Sequence, residues 1–281
     1  MSSHEYSLSA AKEEVDIRLI IQHEVFVKTI DGHLLNAPVA KPIGRVLDIG
    51  TGSGLWAAEL ATENPTAEIV GIDNYPQPQI AAPSNCHFIA MDAEQDWKKI
   101  GGDDGDTLFD VMHTRLVPFH IKEVPGVLHR CYKHLKPRGY IEMQELWPPL
   151  RTDEPPGAPE HASKVIEWTR LRLEAASKLG VDQNMASQLP EALSKAGFVD
   201  VQVQDHKIPV GPWMEDEKMK DLGSMFLELL QLSKMVSSEH LLTHLGMGEQ
   251  EIIDLVEQAS KELGVGKIYA MARFVWARKP E

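Results

Sequence analysis

Short apolar runs alternate with helical patterns between Arg45 and about Trp147. Continuous apolar runs are typical of strands that are buried on both faces of a parallel sheet. Helices are predicted near 54–63 and 121–135, and the second ends at Lys136-Pro137. The pattern predicts an α/β class with a doubly wound, mostly parallel sheet, which binds ligands at the carboxyl ends of its strands. The predicted strands are Arg45–Ile49, Glu68–Ile72, Cys86–Ala90, Phe109–His113 and Gly139–Gln144.

Helical patterns also flank this region. Residues 9–30 have apolar side chains at helical spacing, so residues 1–40 are predicted to form an N-terminal helical lid. Residues 41–147 form the ligand-binding α/β half. Five prolines between Pro148 and Pro159 predict a loop. The elements predicted after it are helices at about 160–179 and 187–196, strands at Phe198–Lys207 and Lys267–Arg278, and a helical block at about 215–263.

The last part of the chain, residues 148–281, is therefore predicted to complete the sheet and to add a helical cap. The cap comprises residues 148–197 and 212–264, and the last strand covers about 267–278. The helical block is rich in Leu and Met, and ordinary core packing explains that content as well as a greasy substrate does.

The segment Val46–Gly54 carries the clearest chemical signal, because an apolar strand runs into glycines at every second position. Glycine lets the backbone turn tightly and approach a ligand where any side chain would clash. Asp73 closes the next apolar run about 20 residues on, where such folds place a carboxylate against ribose hydroxyls. The pattern predicts a nucleoside pocket. Its predicted residues are Asp48, Gly50, Thr51, Gly52, Gly54, Asp73 and Asn74.

The glycine spacing separates two kinds of nucleoside ligand. The dinucleotide fingerprint needs a third glycine for close helix packing beside a pyrophosphate, and Leu55 stands at that position. Asp48 precedes the turn, and its charge would repel a pyrophosphate while suiting an ammonium or sulfonium group. An NAD-dependent oxidoreductase is therefore the weaker alternative.

Polar residues also follow the third and fourth strands. Asp92 and Ala93 are predicted to contact an adenine, since a carboxylate accepts from its amino group; the alternative is an Asx turn. The fourth strand delivers His113, Thr114 and Arg115 to the carboxyl edge, and His120 follows after an apolar bend. Thr114 is assigned to the cofactor and Arg115 to the substrate. For either histidine, a role as general base and an ordinary core or surface position are about equally supported.

The fifth strand ends near the same edge. Glu145 is a candidate base or orienting group, and Trp147 is a candidate stacking platform for a flat substrate. Strand-end solvation and core packing remain the alternatives. The catalytic candidates are thus His120, His113 and Glu145.

The composition of the chain limits the classes of partner that are expected. The 281 residues carry 42 acidic and 28 basic side chains, a formal net charge of −14, without a basic run. Because phosphate binding depends on clustered Lys and Arg, no nucleic-acid partner is expected. No apolar stretch approaches the roughly 18 residues of a membrane span, and no signal peptide is expected. Cys86 and Cys131 offer neither a disulfide framework nor metal spacing, so a cytoplasmic location and no metal are expected.

The glycine segment resembles motif I of the class I S-adenosylmethionine-dependent methyltransferases. A narrower resemblance, to fungal LaeA-type methyltransferases, covers about residues 10–147. It rests on Glu13-Glu14-x-x-x-Arg18-Leu19-x-x-Gln22-His23, Leu34-x-x-Ala37-Pro38, the motif I segment through Trp56-Ala57, Asp92-Ala93-Glu94-x-x-Trp97, His113-x-Arg115 and Leu135-Lys136-Pro137-x-Gly139-Tyr140-Ile141-Glu142-x-Gln144-Glu145.

The resemblance implies a seven-stranded sheet whose last strand inserts antiparallel. It also implies S-adenosylmethionine as cofactor and S-adenosylhomocysteine as product. By the same analogy the N-terminal helix folds over the cofactor, so that Arg18 and Gln22 contact it and His23 lies near the substrate.

The sequence thus predicts a methyltransferase that acts on oxygen or nitrogen of an apolar, aromatic small molecule of secondary metabolism. A second hypothesis is a regulatory module that binds the cofactor within a protein complex and does not turn over small molecules.

Overall fold

The computed structural model describes residues 17–75, 82–101, 108–117, 121–155, 157–158, 163–180, 182, 184–233 and 238–281. Seven strands form one sheet in the order β3-β2-β1-β4-β5-β7-β6. The strands are β1 (Arg45–Ile49), β2 (Glu68–Asp73), β3 (Cys86–Ala90), β4 (Phe109–Arg115), β5 (Leu135–Thr152), β6 (Val199–Pro209) and β7 (Ile268–Arg278). The predicted bounds of β1 and β3 are confirmed, while β2 and β4 continue one and two residues further.

The sheet is mostly parallel. β1 pairs in parallel with β2 and β4, and these pair in parallel with β3 and β5. β7 runs the other way. The backbone N–H of Lys279, just after β7, donates to Gly139 near the start of β5, and Arg278 pairs with Asp200 at the start of β6. The end of β7 therefore lies beside the starts of both neighbours, which confirms the predicted fold class.

Helices connect the strands. They are α1 (residues 17–29), α2 (Leu55–Glu63), α3 (Lys98–Gly101), α4 (Val124–His134), α5 (Lys164–Lys178), α6 (Met185–Lys195), α7 (Glu217–Ser233), α8 (Glu239–Leu242) and α9 (Glu249–Glu262), with a 3-10 turn at Thr243–Leu245. Residues 9–16 of the predicted N-terminal helix lie outside the described residues. None of the helices among these residues combines the length and the apolar character that crossing a membrane requires.

β5 differs most from its prediction. The helix predicted to reach residue 135 ends at His134, because Leu135 is already extended, with φ −81° and ψ 143°. At its other end β5 continues through Pro148 and Pro149, where a loop was predicted. Pairing with β4 stops at Gln144, so a proline N–H is not needed there for a ladder bond to β4. The loop prediction for residues 148–152 is therefore wrong.

The chain divides into two compact units. The core unit comprises residues 33–146, 185–205 and 273–281, and every strand contributes to it. The helical unit comprises residues 1–32, 147–184 and 206–272. The predicted closing of a lid and a cap over the ligand stays a prediction. Cys86 and Cys131, both in the core unit, are buried and free, in agreement with the absence of a predicted disulfide.

A buried carboxylate fastens the segment before β1 to the sheet. Glu142 on β5 is fully buried. Its Oε2 accepts from the backbone N–H groups of Asn36 (2.8 Å) and Ala37 (2.7 Å), and its Oε1 accepts from the side-chain amide of Gln144 (2.8 Å). Trp56 on α2 also holds this segment, because its indole N–H donates to the carbonyl of Leu34 (2.9 Å).

We predict that Glu142→Ala destabilises the protein strongly. The substitution leaves the buried N–H of Ala37 and the half-buried N–H of Asn36 without this acceptor, and an unpaired buried group costs about 1–3 kcal/mol. The free energy of unfolding, measured by urea denaturation, should fall by about 2–5 kcal/mol.

The matched control is Glu68→Ala. Glu68 pairs with Arg45, but its side chain is 48% exposed, so its loss should cost no more than about 1 kcal/mol. If Glu142→Ala cost no more than this control, the proposed anchoring role of Glu142 would be wrong.

Candidate active site

The carboxyl ends of five neighbouring strands meet at one edge of the sheet. The parallel register pairs Ile49 with Ile72 and with Thr114, Asp73 with Ala90, and Thr114 with Met143. The residues that follow these strands are therefore brought together, as predicted for a parallel sheet. The core-unit residues assigned to the site from the sequence that lie at this edge are Asp48, Gly50, Thr51, Gly52, Gly54, Asp73, Asn74, Asp92, Ala93, His113, Thr114, Arg115 and Glu145.

The turn after β1 can be formed only with glycine at two of its positions. Gly50 and Gly54 have φ values of 71° and 76°, in the region that L-residues rarely adopt. A Cβ on Gly50 would lie 2.3 Å from Val117, and one on Gly54 would lie 2.6 Å from the ring of Phe88. Gly52 has φ 52°, and its Cβ would meet only the carbonyl of Gly50 at 4.0 Å. The middle of the turn is therefore open to a ligand.

Asp73, at the end of β2, holds this turn through hydrogen bonds. Its carboxylate accepts from the backbone N–H of Gly52 (3.0 Å) and of Tyr75 (2.9 Å). A carboxylate has about four acceptor positions, so two remain for donors such as ribose hydroxyls. Asn74 follows and is exposed.

Asp48 and His113 form a buried pair. Oδ1 of Asp48 lies 2.8 Å from Nδ1 of His113, and both side chains are at most 4% exposed. The imidazole stacks on the indole of Trp56, with ring centroids 3.6 Å apart and an interplanar angle of 7°. Burial lowers the pKa of His113, while Asp48 acts in the opposite direction. The contact of Asp48 with the cofactor stays a prediction.

Four buried polar atoms near the ends of β1, β4 and β5 have no hydrogen-bond partner in the part of the chain that the structure describes. They are Oγ1 of Thr51, Nε2 of His113, Oγ1 of Thr114 and Oε2 of Glu145. Buried polar atoms in folded proteins are normally paired. Four such atoms at one edge of the sheet are consistent with the binding of a polar molecule there. Together with the open glycine turn, they fit the predicted cofactor.

The segment after β3 forms the turn that was the alternative interpretation. Oδ1 of Asp92 accepts from the backbone N–H of Glu94 (2.8 Å), and the indole N–H of Trp97 donates to the carbonyl of Ala93 (3.0 Å). Trp97 is 1% exposed. The turn fixes the segment and leaves further acceptor positions on the Asp92 carboxylate, so the adenine contact stays a prediction.

Arg115 is connected to the anchored segment through Gln144. Its Nε donates to Oε1 of Gln144 (2.9 Å), and the amide of Gln144 donates to Glu142. Burial lowers the pKa of Arg115 to about 10, and the charges of Asp48, Glu142 and Glu59 act against this shift. The guanidinium is therefore held in place by side chains of β5, and its contact with a substrate stays a prediction.

Glu145 is fully buried. The backbone N–H of Val117 donates to its Oε1 over 3.3 Å. Burial raises the pKa of Glu145 well above its usual value, and the backbone N–H groups of Val117 and Leu116 only partly counter this effect.

The other predicted site residues are not among the described residues of the core unit. His120 lies outside the described residues. Arg18, Gln22 and His23 lie on α1, and Trp147 lies on β5, all in the helical unit. Their approach to the cofactor or the substrate stays a prediction. Phe88 and Val117, which flank the glycine turn, were not predicted as site residues. Their only signal in the sequence is an apolar side chain within β3 and just after β4.

We predict that Glu145→Gln changes how stability depends on pH. The folded-state pKa of Glu145 is raised above its ordinary value of about 4.5, so the folded protein binds this proton more tightly than the unfolded chain. The stability from this proton is fully present below the ordinary pKa and is lost as the pH rises through the raised one. Glutamine does not titrate, so the melting temperature of the variant should rise relative to that of the wild type as the pH increases above about 4.5.

Glu68→Gln, at the exposed first position of β2, is the control and should give a curve parallel to the wild type. Parallel curves for Glu145→Gln as well would contradict the raised pKa of Glu145.

The chain is similar to several known proteins. The family described as methyltransferase domain matches residues 21–203. The methyltransferase pytC of Aspergillus terreus is 29% identical over 279 residues, covering 98% of this chain and 83% of pytC. The secondary metabolism regulator laeA of Fusarium oxysporum f. sp. lycopersici is 30% identical, with 98% and 87% covered.

Solved structures share the fold at lower identity. The YcgJ protein of Bacillus subtilis superposes with a TM-score of 0.52 at 18% identity, covering 90% of this chain and 98% of YcgJ. Phosphoethanolamine N-methyltransferase 2 of Haemonchus contortus, solved with S-adenosyl-L-methionine, gives 0.50 at 20% identity, with 87% and 50% covered. The chain therefore belongs to the methyltransferase domain family and is an S-adenosylmethionine-dependent methyltransferase related to the fungal LaeA-type proteins.

Proposed function

We propose that the protein transfers a methyl group to oxygen or nitrogen of an apolar, aromatic natural product in fungal secondary metabolism. The observation that carries the proposal is the cluster of four unpartnered buried polar atoms beside the open glycine turn. A site of this kind gains most from a bound polar ligand, since an unpaired buried group is costly. The printed name of the Fusarium relative, secondary metabolism regulator laeA, supports the metabolic context.

The chain's own residues would hold the cofactor at the sheet edge. Asp73 accepts from the ribose hydroxyls, and Asp92 accepts from the adenine amino group. The hydroxyls of Thr51 and Thr114 are available for further hydrogen bonds. The charge of Asp48 at the end of β1 favours a positively charged ligand. When bound, S-adenosylmethionine supplies a methyl group that its sulfonium has already activated.

The protein's first contribution to rate is to position the acceptor atom. Holding it about 3 Å from the methyl group contributes on the order of 7–11 kcal/mol. Arg115 and Trp147 are the proposed substrate contacts, together with His23. The network from Arg115 through Gln144 to Glu142 supports a fixed geometry at Arg115.

The second contribution is to remove a proton from the acceptor. A positioned histidine adds roughly 100-fold or more. With a proton on Nδ1 shared with Asp48, Nε2 of His113 carries the lone pair that accepts a proton. Burial lowers the pKa of His113 and so favours the neutral form needed for this role. His120 is the alternative base, and Glu145 is the proposed orienting partner.

A cofactor-binding regulatory module is the second candidate function. Its support is the 30% identity to the Fusarium regulator laeA over nearly the whole chain. Such a module would bind S-adenosylmethionine without methylating small molecules.

Turnover separates the two functions. Purified protein, isotopically labelled S-adenosylmethionine and extracts of fungal cultures should give a labelled, extractable product. Tight binding of the cofactor without a methylated product in any extract would favour the regulatory module.

We predict that Asp73→Ala weakens the binding of S-adenosylhomocysteine about 10- to 100-fold. The variant loses the charge-assisted hydrogen bonds to the ribose, which are worth about 1.5–3 kcal/mol. Isothermal titration calorimetry gives the affinity. The N–H groups of Gly52 and Tyr75 donate to different oxygens of Asp73, so Asp73→Asn keeps an acceptor for one of them and tests the lost charge with one turn hydrogen bond retained.

Asp96→Ala is the control, because its carboxylate is 65% exposed and pairs with Lys98. Its affinity should equal that of the wild type. Unchanged affinity in both Asp73 variants would remove Asp73 from the cofactor site.

A further inference from the structure

One arginine lies on the apolar face of a helix in the helical unit. The inner face of α5 carries Val165, Trp168, Ala175 and Ala176, which are at most 2% exposed. Arg172 lies on the same face, four residues after Trp168 and three before Ala175. Cationic side chains are rarely placed on such a face unless they are paired.

Arg172 has no ion pair among the described residues. Its Nε is fully enclosed and has no hydrogen-bond acceptor within them. Burial lowers the pKa of Arg172 to about 10, while part of its side chain stays accessible. The guanidinium therefore lies in a recess, surrounded by protein on most sides and open on one.

Trp168 forms the base of this recess. The guanidinium carbon of Arg172 lies 5.1 Å from the centre of the Trp168 ring. The ring itself is fixed, because its N–H donates to the hydroxyl of Ser238 over 2.7 Å, in a buried position. A guanidinium held over an indole keeps its N–H donors at its edge, where they are free to bind a ligand.

Several other arginines among the described residues meet carboxylates. Arg273 forms two hydrogen bonds of 2.7 Å with Asp205, and Arg278 pairs with Asp200. The chain carries 42 acidic and 28 basic residues, so carboxylates are abundant. A buried charge without a partner is costly, and a residue kept in that state is explained most simply by a partner that arrives from solution.

We propose that Arg172 binds the carboxylate of a small molecule from solution. The two oxygens of a carboxylate match the parallel N–H donors of a guanidinium, whereas a phenol is neutral near pH 7 and offers one oxygen. The proposed site lies within the helical unit, and the inference goes beyond the proposed function.

The experiment compares the wild type with Arg172→Met, Arg172→Lys and the control Arg170→Met. Arg170 lies on the same helix two residues away and is exposed. The probes are 1-naphthoate, its neutral counterpart 1-naphthamide, and S-adenosylhomocysteine. Affinities come from isothermal titration calorimetry, and melting temperatures without ligand come from differential scanning calorimetry.

We expect 1-naphthoate to bind the wild type and Arg170→Met at least tenfold more tightly than 1-naphthamide. Arg172→Met should lose this preference, and Arg172→Lys should keep part of it. Without ligand, Arg172→Met should melt at the same temperature as the wild type or higher, because the variant no longer buries an unpaired charge. An arginine with a purely structural role would lower the melting temperature when replaced.

Two results would overturn the inference. One is an equal preference for 1-naphthoate in Arg172→Met and the wild type, and the other is no preference in the wild type itself. Binding of S-adenosylhomocysteine should be the same in all four proteins. Its failure in the wild type would count against the proposed function, whereas its retention without a naphthoate preference would count against the role of Arg172 alone.

Discussion

The site depends on the left-handed turn after β1. Gly50 and Gly54 are packed so closely against Val117 and Phe88 that neither position has room for a Cβ atom. The apolar side chains from β3 and from the segment after β4 thus close the two sides of the turn, and Gly52 in the middle stays uncovered. The backbone can approach a ligand there because the sheet supports the turn from both sides.

The polar groups of the site follow from the parallel register. Strands that run side by side in one direction end at one edge, and each contributes the residue at its end. These polar groups are buried, so the electrostatic interactions between neighbouring groups are strong. Burial lowers the pKa of His113 and raises the pKa of Glu145, and Arg115 donates a hydrogen bond to the side-chain amide of Gln144.

Much of the core unit could be predicted from local patterns. β1, which leads into the glycine turn, and β2, which ends at Asp73, are short apolar runs. Their bounds can be predicted because they follow from the residues within each run. Contacts between distant residues could not be predicted in this way. Asp48 and His113 are separated by 65 positions, and Asn36 and Glu142 by 106. The loop prediction after Trp147 was wrong. A proline destabilises a strand only where a neighbouring strand would accept a hydrogen bond from the N–H that proline lacks, and the sequence alone does not show where that is the case.

The pairing of Asp48 with His113 also limits how the family can diverge. Replacing His113 alone would leave the buried carboxylate of Asp48 without its partner. Replacing Asp48 alone would leave the imidazole of His113, which stacks on Trp56, without its hydrogen-bond partner. Either single step is costly, whereas the double replacement avoids both penalties. Descendants of this protein would therefore tend to inherit the two side chains together or lose them together, and a homologue holding one without the other would mark a rebuilt pocket.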